Sequence, residues 1–245
     1  MNKLLVICGP TATGKTALAA KLAKQLNGEL ISADSRQAYV GRDLETNKER
    51  PDVRIWLYDI VNPGEEFSVS HWVKLARLAI EDIQKRNKLP IVAGGSGLYI
   101  KALLDPFDTI DIPPNRKLRE KLQTFSVDKL QNMVVRGNMN ESDWNNPRRL
   151  IRKIETSGAK GLQGDSLKAL VIGLRAPLPA LYKRIDDHMK ERIQKGMKEI
   201  PSNEHAIARK QLTWFKKQKG IHWFDCTSPT LERDVIYLLR HAQKD

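Results

Sequence analysis

Gly9-Pro10-Thr11-Ala12-Thr13-Gly14-Lys15-Thr16 places four residues between two glycines and follows the second with lysine and threonine. That spacing is a phosphate-binding loop. The glycines let successive backbone N–H groups turn inward, a following helix adds its positive end, and Lys15 supplies a full charge. The Thr16 hydroxyl is placed to hold Mg²⁺. Such a loop is nucleotide-binding or diphosphate-binding, but alone it leaves open an ATP-binding hydrolase, a small-molecule kinase and an enzyme whose leaving group is diphosphate.

Three further groups of residues bear on the choice. Asp34, in Ile31-Ser32-Ala33-Asp34-Ser35-Arg36-Gln37, is a carboxylate at the end of an apolar run; it suits a general base, an outer partner of a metal, or a cap for Ser35 and Arg36. Gly94-Gly95-Ser96-Gly97 forms a second backbone nest with a hydroxyl at its centre. Asn146-Pro147-Arg148-Arg149 and Arg209-Lys210-Gln211-Leu212-Thr213-Trp214-Phe215 put basic and amide side chains on helices. The bases suit phosphates, Gln211 and Thr213 suit base edges or sugars, and Trp214 suits either base stacking or a core. The five histidines show no triad or ligand spacing and are read as structural, and the sequence shows no metal cluster.

The elements that must position these residues are legible from periodicity. Lys3–Cys8 reads as a buried strand before the loop and Lys15–Leu26 as a helix after it. Glu29–Ala33, Arg54–Ile60, Leu89–Gly95, Leu167–Leu174 and Ile221–Asp225 read as further strands, with a Ser-capped helix over Ser68–Arg86 and basic helices late in the chain. Alternating strands and helices give an α/β fold with a parallel sheet covered on both faces, whose ligands collect at the carboxyl ends of the strands. We expect a first part of the core over 1–112, a small helical insertion over 113–145, and the remainder of the core with basic helices over 146–245.

Charge divides unevenly. The net charge is +2 over residues 1–108 and +11 over 109–245, out of +13 for 245 residues. A one-signed half of this kind attracts polyanions, nucleic acid above all. No apolar run approaches a membrane span and the N-terminal apolar run is too short for a signal peptide, so a cytoplasmic protein without membrane association is expected. Cys8 and Cys226 lie in apolar stretches and read as reduced thiols.

The ordered set GPTATGKT, ISADSRQAY, DIVNPGEEFS, GGSGLYIKALL, NNPRRLIRKIE and RKQLTWF resembles the bacterial tRNA dimethylallyltransferases, also called tRNA isopentenyltransferases. The likeness covers most of residues 4–160 and returns at 208–225. It implies a P-loop NTPase-like three-layer α/β/α fold. It also implies transfer of a dimethylallyl group from dimethylallyl diphosphate to N6 of adenosine 37, beside the anticodon, by a monomer that grips the anticodon stem-loop of tRNA. Gly9 to Thr16 would hold the diphosphate, with Lys15, and Mg²⁺ at Thr16, stabilising its charge. Asp34 would accept the N6 proton and Thr11 would lie near the reacting centre. Asp34, Ser35, Arg36, Gln37, Ser96, Asn146, Pro147, Arg148, Arg149, Arg209, Lys210, Gln211, Thr213 and Trp214 would face the RNA. Relative to the family pattern, Ser96 replaces Thr, the insertion after residue 110 is short, and a longer helical segment between Ile200 and Glu204 is missing.

Overall fold

The computed structural model describes residues 4–107, 109–158, 165–197 and 203–241. Among these, six strands form one parallel sheet: β1 (Leu5–Cys8), β2 (Gly28–Ser32), β3 (Ile55–Trp56), β4 (Leu89–Gly94), β5 (Leu170–Arg175) and β6 (Ile221–Asp225). The spatial order is β3-β2-β4-β1-β5-β6, with Cys8 level with Gly94 on one side and Gly173 on the other. β1 is therefore central and buried along its whole length, as its unbroken apolar run requires.

The helices are α1 (Lys15–Leu26), α2 (Asp43–Thr46), α3 (Val69–Lys85), α4 (Gly97–Leu104), α5 (Arg116–Gln123), α6 (Val127–Gln131), α7 (Glu141–Trp144), α8 (Pro147–Glu155), α9 (Leu178–Gln194), α10 (Glu204–Lys216) and α11 (Leu231–His241). Leu5, Ile7, Leu30, Ile91 and Ile172 share a buried cluster with Leu18 and Leu22 of α1 and Val235 of α11. The alternate residues Val6, Ile31 and Val92 point to the other face, where α3 and α4 bury Trp72 and Leu103. Trp72 donates its indole N–H to the Ser32 carbonyl at 2.8 Å and stacks on Tyr99, tying both helices to the end of β2. Ser68 caps α3 as expected, accepting from the His71 N–H.

The third strand is shorter than its expected span, Arg54–Ile60. Leu57 and Asp59 take positive φ, 67° and 54°, a conformation that ends a strand. Asp59 is held there by Lys48 and Arg50, whose cations lie 2.5 and 2.6 Å from its carboxylate.

The chain divides into two compact units, 1–105 with 166–245 and, separately, 106–165. This differs from the expected boundaries 113–145 and 146–245, because α8 packs inside the smaller unit. Its Leu150 and Ile151 bury against Leu122 and Leu130. Arg119 and Arg152 both bond the Glu155 carboxylate, and Arg152 also donates to the Thr109 and Ile112 carbonyls. The connection after Ile200 falls outside the described residues. Among the described residues, no helix is long and apolar enough to cross a membrane.

Candidate active site

The chain leaves β1 at its carboxyl end directly into the phosphate loop. Gly9, at φ 140°, lies so close to β5 that a Cβ would sit 2.3 Å from the Leu174 carbonyl oxygen, so glycine is required twice over. Gly14 at φ 74° turns the chain into α1. Within the loop, the buried Thr13 hydroxyl and the Lys15 ammonium both donate to the Pro10 carbonyl, at 2.8 and 2.6 Å. Burial pushes the Lys15 ammonium down from its ordinary value, with the Asp34 carboxylate opposing the shift. Cys8, one residue before the loop, is pushed up to about 12 by burial and is an unreactive thiol.

The ends of β2 and β4 meet this loop. A Cβ on Gly94 would strike the Ala33 carbonyl oxygen at 2.2 Å, and the Ser96 N–H donates to that same oxygen. The Ser96 hydroxyl in turn accepts from the Ser35 N–H at 3.0 Å. Asp34 is thereby fixed at the sheet edge, with Oδ1 accepting from the Arg36 N–H at 2.9 Å. Among the described residues, Oδ2 has no hydrogen-bond partner, and Asp34 lines the cavity.

That cavity holds about 330 Å³ and is lined by Thr11, Ala12, Gly14, Lys15, Thr16, Asp34, Arg36, Gln37 and Gly94-Gly95, joined by Thr46, Asn47, Glu49, Arg184, His188 and Gln211. Two of these have placements that the sequence reading did not foresee. Gln211, expected to read RNA, has both ends of its amide engaged in the protein: Oε1 accepts from the Thr11 N–H at 2.9 Å and Nε2 donates to the Gly95 carbonyl at 3.1 Å. It links the phosphate loop to the second nest. His188, read as structural along with the other histidines, lines the cavity one helical turn after Arg184.

Arg184 escaped the sequence reading. It donates to the Ala12 carbonyl and the Cys226 sulfur, and among the described residues it forms no close ion pair, acting on the Asp225 carboxylate only at longer range. The spacing of Arg184 and His188, four residues apart on a helix, was the available signal, since such residues share a face.

The remaining expected residues have plain placements. Gln37 is tied to Ser32 and Thr46. Asn146 caps α8, accepting from the Arg148 and Arg149 N–H groups, and Pro147 occupies the first turn. Arg148 is exposed, while Arg149 pairs with Asp143 at 2.8 Å. Arg209 and Lys210 are exposed on α10, and the Thr213 hydroxyl donates back to the Arg209 carbonyl. The Trp214 ring is half-buried over Gly97, where a Cβ would lie 2.3 Å from it, and stands edge-on to Phe215.

The donor set also tests the fit of Mg²⁺. No group of three histidine, cysteine or carboxylate side chains suited to a metal exists among the described residues. Thr16 and Asp34 do line the same cavity. A cation that keeps its waters and borrows phosphate oxygens needs no more than this, and Mg²⁺ binds in that way.

A parallel sheet with a phosphate loop at the carboxyl end of its central strand, beside a carboxylate and a second glycine nest, defines a P-loop α/β enzyme. Comparison with known proteins narrows the class. A family model described as IPP transferase matches residues 36–202, and one described as isopentenyl transferase matches 2–57. The chain is 40% identical over 204 residues to tRNA dimethylallyltransferase 1 of Geotalea uraniireducens, covering 79% of this chain and 68% of that protein. It is 32% identical to the tRNA dimethylallyltransferase of Anoxybacillus flavithermus, covering 99% and 96%. That alignment spans 300 positions against the 245 residues here, so the relative carries internal segments that this chain lacks. The full-length tRNA isopentenylpyrophosphate transferase of Bacillus halodurans superposes with a TM-score of 0.70 at 29% identity, covering 99% of this chain and 96% of that one. The chain belongs to the IPP transferase family.

Proposed function

We propose that this chain transfers the dimethylallyl group of dimethylallyl diphosphate to N6 of adenosine 37, beside the anticodon of a tRNA, releasing diphosphate and working as a cytoplasmic monomer. The observation that carries the reading is that Asp34, one of whose carboxylate oxygens has no hydrogen-bond partner among the described residues, lines the same cavity as the phosphate loop.

The bond from C1 of the prenyl group to the diphosphate oxygen breaks and its electron pair leaves with the diphosphate. The bond from N6 to C1 forms, and the N6 proton passes to Asp34. Lys15, Arg184 and the loop N–H groups stand where negative charge grows on the leaving group, and a charge met by preorganised donors lowers the barrier. Thr16 and the diphosphate oxygens would hold Mg²⁺, which when bound neutralises part of that charge. Adenine N6 is a weak nucleophile, so alignment and water exclusion supply much of the rate. The adenine leaves its stack to reach the cavity. Exposed Arg148 of one unit and Arg209 and Lys210 of the other are the candidates for tRNA phosphates.

Incubation with dimethylallyl diphosphate, Mg²⁺ and bulk tRNA, followed by nucleoside mass spectrometry, tests the reading. A mass gain of one prenyl group on adenosine supports it. Unmodified tRNA together with phosphoryl transfer from ATP to a small acceptor would replace it with a kinase.

A further inference from the structure

Arg192 is a cation placed where none is expected, 3% exposed near the end of α9. Its guanidinium makes a two-pronged pair with Glu204, at 2.9 Å from Nη1 and 2.8 Å from Nη2, and that side chain is itself only 9% exposed. Nη1 also donates to the Leu44 and Glu45 carbonyls at 3.3 and 3.1 Å, and Nε to the His188 carbonyl at 3.3 Å. One side chain therefore joins three elements: α9, the first turn of α10, and the carboxyl end of α2. A buried pair is no evidence of stability in itself, because apolar side chains of like volume often serve as well. What an apolar pair does not reproduce is direction, since a planar fork with several donors fixes where its acceptors sit.

Each of the three elements supplies a wall of the phosphate cavity. α9 carries Arg184 and His188, two turns and one turn before Arg192. α2 leads into Thr46, Asn47 and Glu49. α10 carries Gln211, two turns after Glu204, whose amide bridges Thr11 and Gly95. We infer that Arg192, paired with Glu204, is a positioning residue for the phosphate cavity, holding the α2, α9 and α10 walls in register around the diphosphate. This rests on the diphosphate being the ligand, and deepens that reading by naming what sets the cavity's shape.

The test uses inorganic diphosphate with Mg²⁺ as the probe, in titrations of the whole protein well below each variant's melting midpoint. The variants are Arg192→Met, Arg192→Lys and Glu204→Gln, with Glu155→Gln as a second buried ion pair from the smaller unit, remote from the cavity in the chain. Arg192→Met is expected to weaken diphosphate binding about tenfold or more, as a misplaced donor set does. Arg192→Lys should recover part of the loss, and KM for dimethylallyl diphosphate should rise more than kcat falls. Glu155→Gln should lower the melting temperature and leave diphosphate affinity within about twofold of wild type.

Wild-type affinity in Arg192→Met, or an equal loss in Glu155→Gln, overturns the inference. Should Arg192→Met not fold, Arg192→Lys and Glu204→Gln decide in the same way, unchanged affinity in both overturning it. The titration needs no prenyl transfer, so failure of the reaction reading shows separately, as diphosphate binding without modified tRNA.

Discussion

The two ends of the sheet treat charge in opposite ways. At the amino end, Glu29 is 3% exposed at the start of β2 and every one of its lone pairs is claimed: both Arg86 nitrogens, the Lys88 ammonium at 2.8 Å and the Trp56 indole N–H at 2.9 Å. The Arg86 hydrogen bonds hold the Glu29 carboxyl well below the usual carboxylate range. At the carboxyl end, Lys15 and Arg184 face a cavity and donate only to backbone carbonyls and a sulfur. The closed cluster ties β2 to β3, to the end of α3 and to the residue before β4. The open one leaves cationic charge for a ligand to neutralise, which is what an anion site requires.

The comparison is broken most decisively at Asp34. Replacing it with Ala is expected to lower turnover about 10²–10⁴-fold, the usual contribution of a positioned base, with diphosphate affinity and melting temperature near wild type. Single-turnover rates beside a diphosphate titration check this, and near-normal turnover sinks the assignment. Lys15→Ala should cost about 10²–10³-fold in rate, as loss of a charged donor to a developing anion does. In the wild type, diphosphate affinity should fall as pH rises through the depressed Lys15 value, below the ordinary 10.5. A plateau up to that ordinary value would show that Lys15 is not the titrating group.

At the other end, Glu29→Ala takes the shared carboxylate from Arg86 and Lys88 and leaves Arg86 only Asp82. The loss of four hydrogen bonds to a buried carboxylate should show in chemical denaturation as lower stability, while folded protein keeps its turnover. Equal loss of rate and stability would erase the distinction between the two ends.

How much of this was legible follows the same division. The phosphate loop, Asp34 and the Gly94–Ser96 nest were readable because each is a local pattern at the end of a strand, where neighbours in sequence are neighbours in space. Arg184, His188 and Glu49 were not: the four-residue spacing puts Arg184 and His188 on one helix face, but that this face and Glu49 meet the phosphate loop depends on how α9 and the segment after α2 pack. Gln211 was picked out as functional, but its link between the phosphate loop and the second nest was not, since sequence shows an amide and not its two partners. The early end of β3 was hidden for a related reason: Asp59 takes positive φ under the hold of Lys48, a cation eleven residues earlier. The placement of α8 turned on Leu150 and Ile151 finding Leu122 and Leu130, which periodicity marks as apolar without saying whose core they enter.

The smaller unit repeats the closed arrangement at Glu155. Burial raises this carboxyl, but hydrogen bonds from Arg119, Arg152 and the Asn115 N–H more than offset it and hold it at about 2, against an ordinary 4.5. A depressed carboxylate contributes stability that is complete above its unfolded value and is lost as pH falls toward the folded one. Acid unfolding of this unit should therefore deepen between about pH 4.5 and pH 2, and Glu155→Gln should flatten that stretch of the curve. An unchanged acid profile in the variant would mean that the pair contributes no linkage.

The smallest expected effect separates open from closed charge on the surface. Exposed Arg148 and Lys210 meet no carboxylate among the described residues, whereas Arg152 is spent on Glu155 and two carbonyls. If the open ones neutralise tRNA phosphates, the slope of log affinity against log salt should flatten by about 0.7–0.9 for each one changed to Ala. Arg152→Ala should instead lower the melting temperature of the smaller unit, since it removes internal bonds. Trp214→Ala should also act through stability, because the ring packs over Gly97 and against Phe215. Were Trp214 a stacking platform, its loss would weaken tRNA binding by about 1–3 kcal/mol with little change in salt slope. Titrations of tRNA at several salt concentrations with these four variants distinguish the outcomes. A slope that Arg148→Ala and Lys210→Ala both leave untouched would place the RNA on some other face and reduce these cations to a solvated surface.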